Sequence, residues 1–317
     1  LARHHPPASG EISFQQVPQA GPKVMSVKSP SRPSAIQLCY VRLAISRPEA
    51  AAAFATEVLG LEHIPNKLEP YLYRSDQRYH TLCLAAGAER PSIGIEISDA
   101  PELDRVAEAL AHSGMSPREA TTEECARRFV YRALVVTDAT GNEIDLVLRP
   151  AQSGRRYFPS RDAGVTGLQG IGLRSRAVKD DLRLWTILGA EVTDRVGEIT
   201  YLGIDQKHHR IALYPSDKAG LVYVSYSVES MDALMQNSYF VQERQIKIMH
   251  GPGRETASGQ MFLRFAGPEG YVFSYGSGLS DLGPQHRPRQ FTPEASSLCE
   301  WGSECADIAE LLPVQTG

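Results

Sequence analysis

His80–Leu84 (HTLCL) and His209–Leu213 (HRIAL) decide the fold, because they are one element written twice. Leu59 and Gly60 return as Leu188 and Gly189, and Gly141–Asp145 (GNEID) returns as Gly270–Ser274 (GYVFS), all three at one spacing of 129 residues. Three separated landmarks at a single offset mark an internal duplication.

Outward from these landmarks, each copy has the same order of elements. A strand opens it (37–45, then 167–175). A helix follows (47–59, then 178–188), with Ala51, Phe54, Ala55 and Val58 at helical spacing and Gly60 placed as a C-terminal cap. Three strands come next, at 198–204, 209–214 and 221–228 in the second copy. A second helix is clearest in the first copy (101–112, with Gly114 behind it). Two strands joined by turn chemistry close each copy: 133–137 with 143–148, and 261–266 with 271–275. The fold class is therefore α+β: two tandem modules, each of paired units that form a curved mixed sheet with outer helices. The concave face of such a sheet is where a small molecule sits. The expected boundaries are a flexible leader (1–35), an N-terminal module (36–150), a C-terminal module (164–279) and an extended C-terminal tail (280–317) ending in a short helix near 305–312.

Composition excludes several function classes. Of 317 residues, 42% are hydrophobic and 22% charged, enough for a core. A formal charge of −4 offers no basic field for nucleic acid or an anionic membrane, and no apolar run approaches the ~18 residues of a spanning helix. Five scattered cysteines without a CxxC pair argue against a disulfide scaffold or thiolate zinc site, and for a cytoplasmic location. The segment Gly251–Gly253 lacks the spacing of a phosphate-binding loop.

Leu38–Ile45 (LCYVRLAI), Lys207–Leu213 (KHHRIAL) and Gly251–Arg254 (GPGR) resemble the opening strand, the paired-histidine strand and the glycine-rich turn of type I extradiol ring-cleaving dioxygenases. These belong to the vicinal-oxygen-chelate superfamily (glyoxalase, bleomycin resistance protein, dioxygenase). The resemblance spans roughly 36–279. It implies a second module that holds iron with two histidines and a glutamate and leaves positions open for catechol oxygens and dioxygen.

Carried over position by position, that implied site is largely replaced. The second histidine falls on His209. The glutamate falls on Ser274, and the first histidine on Gln169 or Gly170, depending on how the strand is counted. The histidine and tyrosine that the family uses to bind substrate and handle protons become Glu255 and Arg264. His209, Glu255 and Arg264 are thus the candidate catalytic residues, and Ser274, Gln169 and Gly170 the candidate substrate-binding residues. No metal ligands and no cofactor are expected, and removal of the metal is expected to free volume. Glu255 and Arg264 either pair with each other or bind a polar ligand group. Arg264→Ala is expected to weaken binding with little loss of folding. His208 is expected to face away from His209, at the surface or an interface, because strand side chains alternate. Tyr40, His80 and Asp145 stand at the equivalent places of the first module, where the family carries no metal.

Three functions follow. The first is an enzyme that transforms an aromatic or polyketide-like molecule by metal-independent acid–base chemistry (isomerisation, cyclisation or hydrolysis). The second is a non-catalytic small-molecule-binding or resistance protein. The third is a metal-dependent extradiol dioxygenase with unusual ligands. The partner in each is a small, aromatic molecule rather than nucleic acid or membrane, and a homo-oligomer stays open.

Overall fold

The computed structural model describes residues 1–2, 36–305 and 307–311. The expected leader, apart from Leu1 and Ala2, lies outside them.

The first module opens with β1 (Ile36–Ile45) and α1 (Pro48–Ala53), then β2 (Glu62–Ile64), β3 (Leu72–Arg74), β4 (Leu82–Ala86) and β5 (Ser92–Ile97). It continues with α2 (Ala100–His112), β6 (Arg118–Glu119), α3 (Thr122–Arg128), β7 (Val130–Thr137) and β8 (Glu143–Pro150). The second module has β9 (Val165–Ser175), α4 (Val178–Ile187), β10 (Glu191–Val196), β11 (Ile199–Gly203), β12 (Ile211–Pro215) and β13 (Leu221–Val228). After these come α5 (Met231–Glu243), β14 (Ile248–Arg254), β15 (Met261–Ala266) and β16 (Val272–Ser277). The tail adds β17 (Arg289–Phe291), α6 (Ala295–Leu298) and a 3-10 turn at Ala309–Leu311.

The sheet orders state the duplication in three dimensions. The first sheet runs β2-β3-β4-β1-β5-β8-β7-β6. The second runs β10-β11-β12-β9-β13-β16-β15-β14, with β17 added beside β10. In both, the opening strand pairs parallel with the third strand after it and antiparallel with the fourth. Helix α2 packs on β5 and β8, and α5 on β13, β15 and β16.

Local chemistry accounts for the helix ends. The Asp99 side chain caps α2 by accepting from the Glu102 amide, and Leu103, Val106 and Leu110 form its buried stripe. Thr121 and Glu124 cap α3 reciprocally. Gly60 ends the first helix at φ +74°, and a Cβ there would lie 2.7 Å from the Arg161 carbonyl oxygen, so only glycine closes this turn. The single helix expected over 47–59 is instead α1 continued by a π-turn over Phe54–Val58, where the Leu59 amide reaches the Phe54 carbonyl. Helix α5 is nearly silent in sequence because its buried face carries Asn237 and Ser238. Asn237 is satisfied by donating to the carbonyls of Ala163 and Ala233, and neither bond shows in an apolar pattern.

One hydrophobic core runs through both modules, from Ile36 to Tyr275. Phe54 lies 5.3 Å from Phe273 across the join, and the Tyr271 hydroxyl donates to the Ala44 carbonyl. Among the described residues no helix is long and apolar enough to cross a membrane.

Candidate functional site

Strand register shows which residue of β9 lies in line with Ser274. In the first sheet Tyr40 faces Gly94, which faces Asp145. In the second sheet Gly170 faces Ser225, which faces Ser274. Tyr40, Gly94 and Asp145 therefore map onto Gly170, Ser225 and Ser274. A Cβ on Gly170 would lie 2.7 Å from the Arg210 carbonyl oxygen, which leaves no room for a side chain.

His209, Arg264, Ser274, Gln169 and Gly170 line one small chamber, together with Tyr223, Ser225 and Gln260. Its volume is about 10 Å³, at most one water molecule. The expectation that losing a metal frees volume is therefore wrong. Large polar side chains fill the space: the Gln169 and Gln260 amides press on Gly276 so closely that a Cβ there would lie 2.2 and 2.0 Å from them. Arg264 is clamped between the rings of Phe262 and Tyr223, at 4.1 and 4.7 Å from their centres.

Glu255 and Arg264 do pair, at 3.4 Å, and both are almost wholly buried. Arg264 also donates to His250 Nδ1 at 3.2 Å, while Ser258 donates to the other Glu255 oxygen. Burial pushes the Glu255 carboxyl upward, but His209 and Arg264 outweigh it and hold the group below the usual carboxylate range. Burial drives His209 down to about 4, against the opposing pull of Glu255.

His208 corrects the sequence reading. It is 1% exposed and packs edge-on to the ring of His209. Strand alternation does not apply, because β12 begins only at Ile211 and both histidines lie in the turn before it. His208 Nε2 donates to Asp194 Oδ2 at 2.9 Å, which leaves its Nδ1 to accept from His209 Nδ1 at 3.0 Å. His209 thus turns the lone pair of Nε2 toward the chamber, 3.8 Å from Glu255 Oε2.

A donor set absent from the sequence reading stands behind this pair. Asp194, His208 and His286 bring three ligand atoms within 4.8 Å of one another. His286 Nε2 lies 3.6 Å from Asp194 Oδ1 and donates to the Thr193 carbonyl. Arg289, half exposed, bonds both Asp194 oxygens through its side chain and amide. Those bonds and His208 overcome the upward push of burial and hold Asp194 at about 2. Asp194 sits on β10, His208 before β12 and His286 in the tail, so no local spacing announces the set. The paired HH at 208–209 was the only local signal.

The family's iron position does not fit iron in this chain. Gly170 offers no ligand, Ser274 offers a neutral hydroxyl turned to the Tyr275 carbonyl, and the Arg264 guanidinium stands in the same chamber.

In the first module Tyr40 donates to Asp145 Oδ2, as do Ser92 and Arg128, and His80 stacks on Tyr40 at 4.8 Å. Arg128 holds there the place beside the carboxylate that Arg264 holds in the second module. Asp145 Oδ1 and His80 Nε2 are buried without a protein partner.

A larger cavity adjoins the chamber, with Gln169 lining both. It measures about 190 Å³ and is bounded by Lys207, Arg210, Val228, Gly276 and Leu279 among others.

No family model matches the chain. It is 24% identical over 266 residues to a 1,2-dihydroxynaphthalene dioxygenase of Sphingobium xenophagum, covering 77% of this chain and 89% of that protein. It is 25% identical over 263 residues to an iron-dependent extradiol dioxygenase of Rhodococcus jostii, covering 75% and 88%. A halotolerant catechol dioxygenase of known structure superposes with a TM-score of 0.79 at 18% identity, over 88% of this chain and 98% of that one. Its relatives and structural neighbours are type I extradiol dioxygenases of the vicinal-oxygen-chelate superfamily. This extradiol-dioxygenase-like protein shares the scaffold over most of its length.

Proposed function

We propose that this extradiol-dioxygenase-like chain acts on a one-ring aromatic diol and depends on a metal ion held by Asp194, His208 and His286. The observation that carries the reading is the two-histidine, one-carboxylate donor set within 4.8 Å. The relatives' own names support an aromatic diol, with the single ring argued from the cavity alone, and, for the Rhodococcus protein, the metal dependence. An iron(II) bound there supplies redox chemistry toward dioxygen and positive charge toward a diol.

The chain's residues prepare this arrangement. Nε2 of His208 and Nε2 of His286, which now donate to Asp194 and Thr193, would hold the ion with each ring proton moved to Nδ1, where that of His208 would be donated to His209 Nδ1. Arg289 turns outward to release Asp194, at little cost for a half-exposed side chain. Lys207, next to His208, forms the wall of the 190 Å³ cavity, so the donor set and the space for a ring share one segment. That volume lies below the ~300–1,000 Å³ of ordinary ligand pockets, which favours a single ring.

The metal-free acid–base transformation expected from the sequence has no support in the relatives. One feature of the site favours it as a second reading: the His209 lone pair turned toward the chamber, beside the Glu255–Arg264 pair. Anaerobic loading with iron(II), followed by dialysis and metal analysis, separates the two. The proposal expects one equivalent of iron in the parent, loss of it in His286→Ala and retention in Ser274→Ala. A parent that retains no iron, or a His286→Ala variant that retains it fully, overturns the metal reading.

A further inference from the structure

The geometry points to an anion subsite in the 190 Å³ cavity: we infer that the compound bound there carries a carboxylate or similar anionic group, received by Lys207 and Arg210. This deepens the proposed function and takes from it only the aromatic ring. The charge preference rests on the cavity itself.

Among the described residues two cations and no carboxylate line the cavity, and Val228 and Leu279 give it an apolar side. A ring lies against the apolar side while a charged substituent meets the cations. Gly276 and Gly278 leave the floor bare, and Ser227 and Ser277 add hydroxyl groups. The acids that pair with the two cations, Asp281 and Asp205, are not among the lining residues. Lys207 contacts Asp281 at 2.9 Å, with that aspartate two-thirds exposed, so the contact is screened by water and readily exchanged for a ligand anion. Arg210 is held at both ends, by Asp205 at 2.7 Å and by the Gln169 carbonyl at 3.0 Å. It keeps its place as a fixed guanidinium on the cavity wall, its charge partly offset by Asp205.

The inner chamber cannot receive the ring. It has room for a water molecule at most, and Gln169 stands between it and the cavity. A compound whose anionic end is bound by Lys207 therefore has its ring beside Gln169, Gly276 and Leu279, outside the Arg264 chamber.

Calorimetric titration of the whole chain, stripped of metal with a chelator, tests this with benzoate and its neutral isostere benzamide. Benzoate is expected to bind at least tenfold tighter than benzamide. Lys207→Gln is expected to weaken benzoate about tenfold and leave benzamide unchanged. Arg210→Gln is expected to weaken benzoate as well, with circular dichroism reporting on its fold. In 0.5 M salt the preference is expected to shrink. Equal affinity for the two probes, no binding of benzoate at millimolar concentration, or an unchanged benzoate affinity in Lys207→Gln each overturns the inference. Because no metal is present, failure of the metal reading leaves these outcomes unaffected, and the reverse also holds.

Discussion

Ser274 faces Ser225 across the parallel strands β16 and β13 just as Asp145 faces Gly94 across β8 and β5. The carboxylate at this position survives only in the first module, where Tyr40, Ser92 and Arg128 all donate to it. In the second module the nearest carboxylate to Arg264 comes from Glu255, at the end of a different loop. Each module thus keeps an arginine–carboxylate pair at its centre, built from different positions.

Burial of the second pair leads us to predict a structural role, against the sequence expectation that Arg264→Ala spares folding. Removing either partner strands a charge in a nearly dry chamber, at a cost of about 3–5 kcal/mol. Urea unfolding at pH 7 is expected to show that loss for Arg264→Ala and for Glu255→Ala. The double variant Arg264→Met with Glu255→Gln is expected to recover most of it. A loss below about 1 kcal/mol in both single variants would count against a structural role.

Acid should destabilise the chain through three buried histidines. Burial holds His80 at about 3, His209 at about 4 and His250 at about 3. Each value is depressed from an unfolded value of about 6.5. The unfolded chain therefore binds more protons as pH falls, and stability is full above about 6.5 and lost as pH drops toward the folded values. Each histidine contributes up to about 2 kcal/mol of loss between pH 6.5 and 5. Unfolding midpoints are expected to fall steadily over that window, and His80→Gln is expected to flatten the slope. A midpoint constant from pH 7 to 5 would refute the reading.

Rebuilding the family triad should fail for a steric reason. The variant Gly170→His with Ser274→Glu supplies the missing ligand types, but the Arg210 carbonyl oxygen stands 2.7 Å from where the new Cβ must go. Loss of about 1–3 kcal/mol is expected, as for overpacking elsewhere. No iron beyond that of the parent is expected. Iron bound at an additional equivalent, with stability unchanged, would mean that β9 and the turn before β12 can separate.

Glu269 joins the modules through backbone amides rather than a side-chain pair. Its carboxylate accepts from the Ser46 and Arg47 amides, at 2.9 and 2.7 Å, just ahead of α1. Those contacts hold its carboxyl below the usual range. Glu269→Gln is expected to raise hydrogen exchange at Ser46 and Arg47 severalfold while the global unfolding midpoint stays within error. Unchanged exchange at both amides would show that Glu269 does not latch the helix start.

How much of this was legible in the sequence differs from element to element. The glycines that end the first helices, Gly60 and Gly189, return at positive φ because a helix stop is written in a few adjacent residues. The strand β13 appears with the expected ends because Val and Tyr, both favoured in strands, recur along it between Leu221 and Val228. Helix α5 and the buried place of His208 were hidden, since their partners are carbonyls and carboxylates far along the chain.

By itself the sequence determined the duplication, the α+β class and the residue types at each family position. These follow from spacing, periodicity and turn chemistry, which are properties of neighbouring residues. Only the tertiary structure decided that Gly170 rather than Gln169 lies in line with Ser225 and Ser274, because strand register is set by pairing across β9 and β13. It also decided that the chamber is closed, because side-chain volume adds up only once Gln169, Gln260 and Arg264 are packed together. And it alone gathered Asp194, His208 and His286, since the β10–β17 pairing brings the tail back over a strand nearly a hundred residues before it.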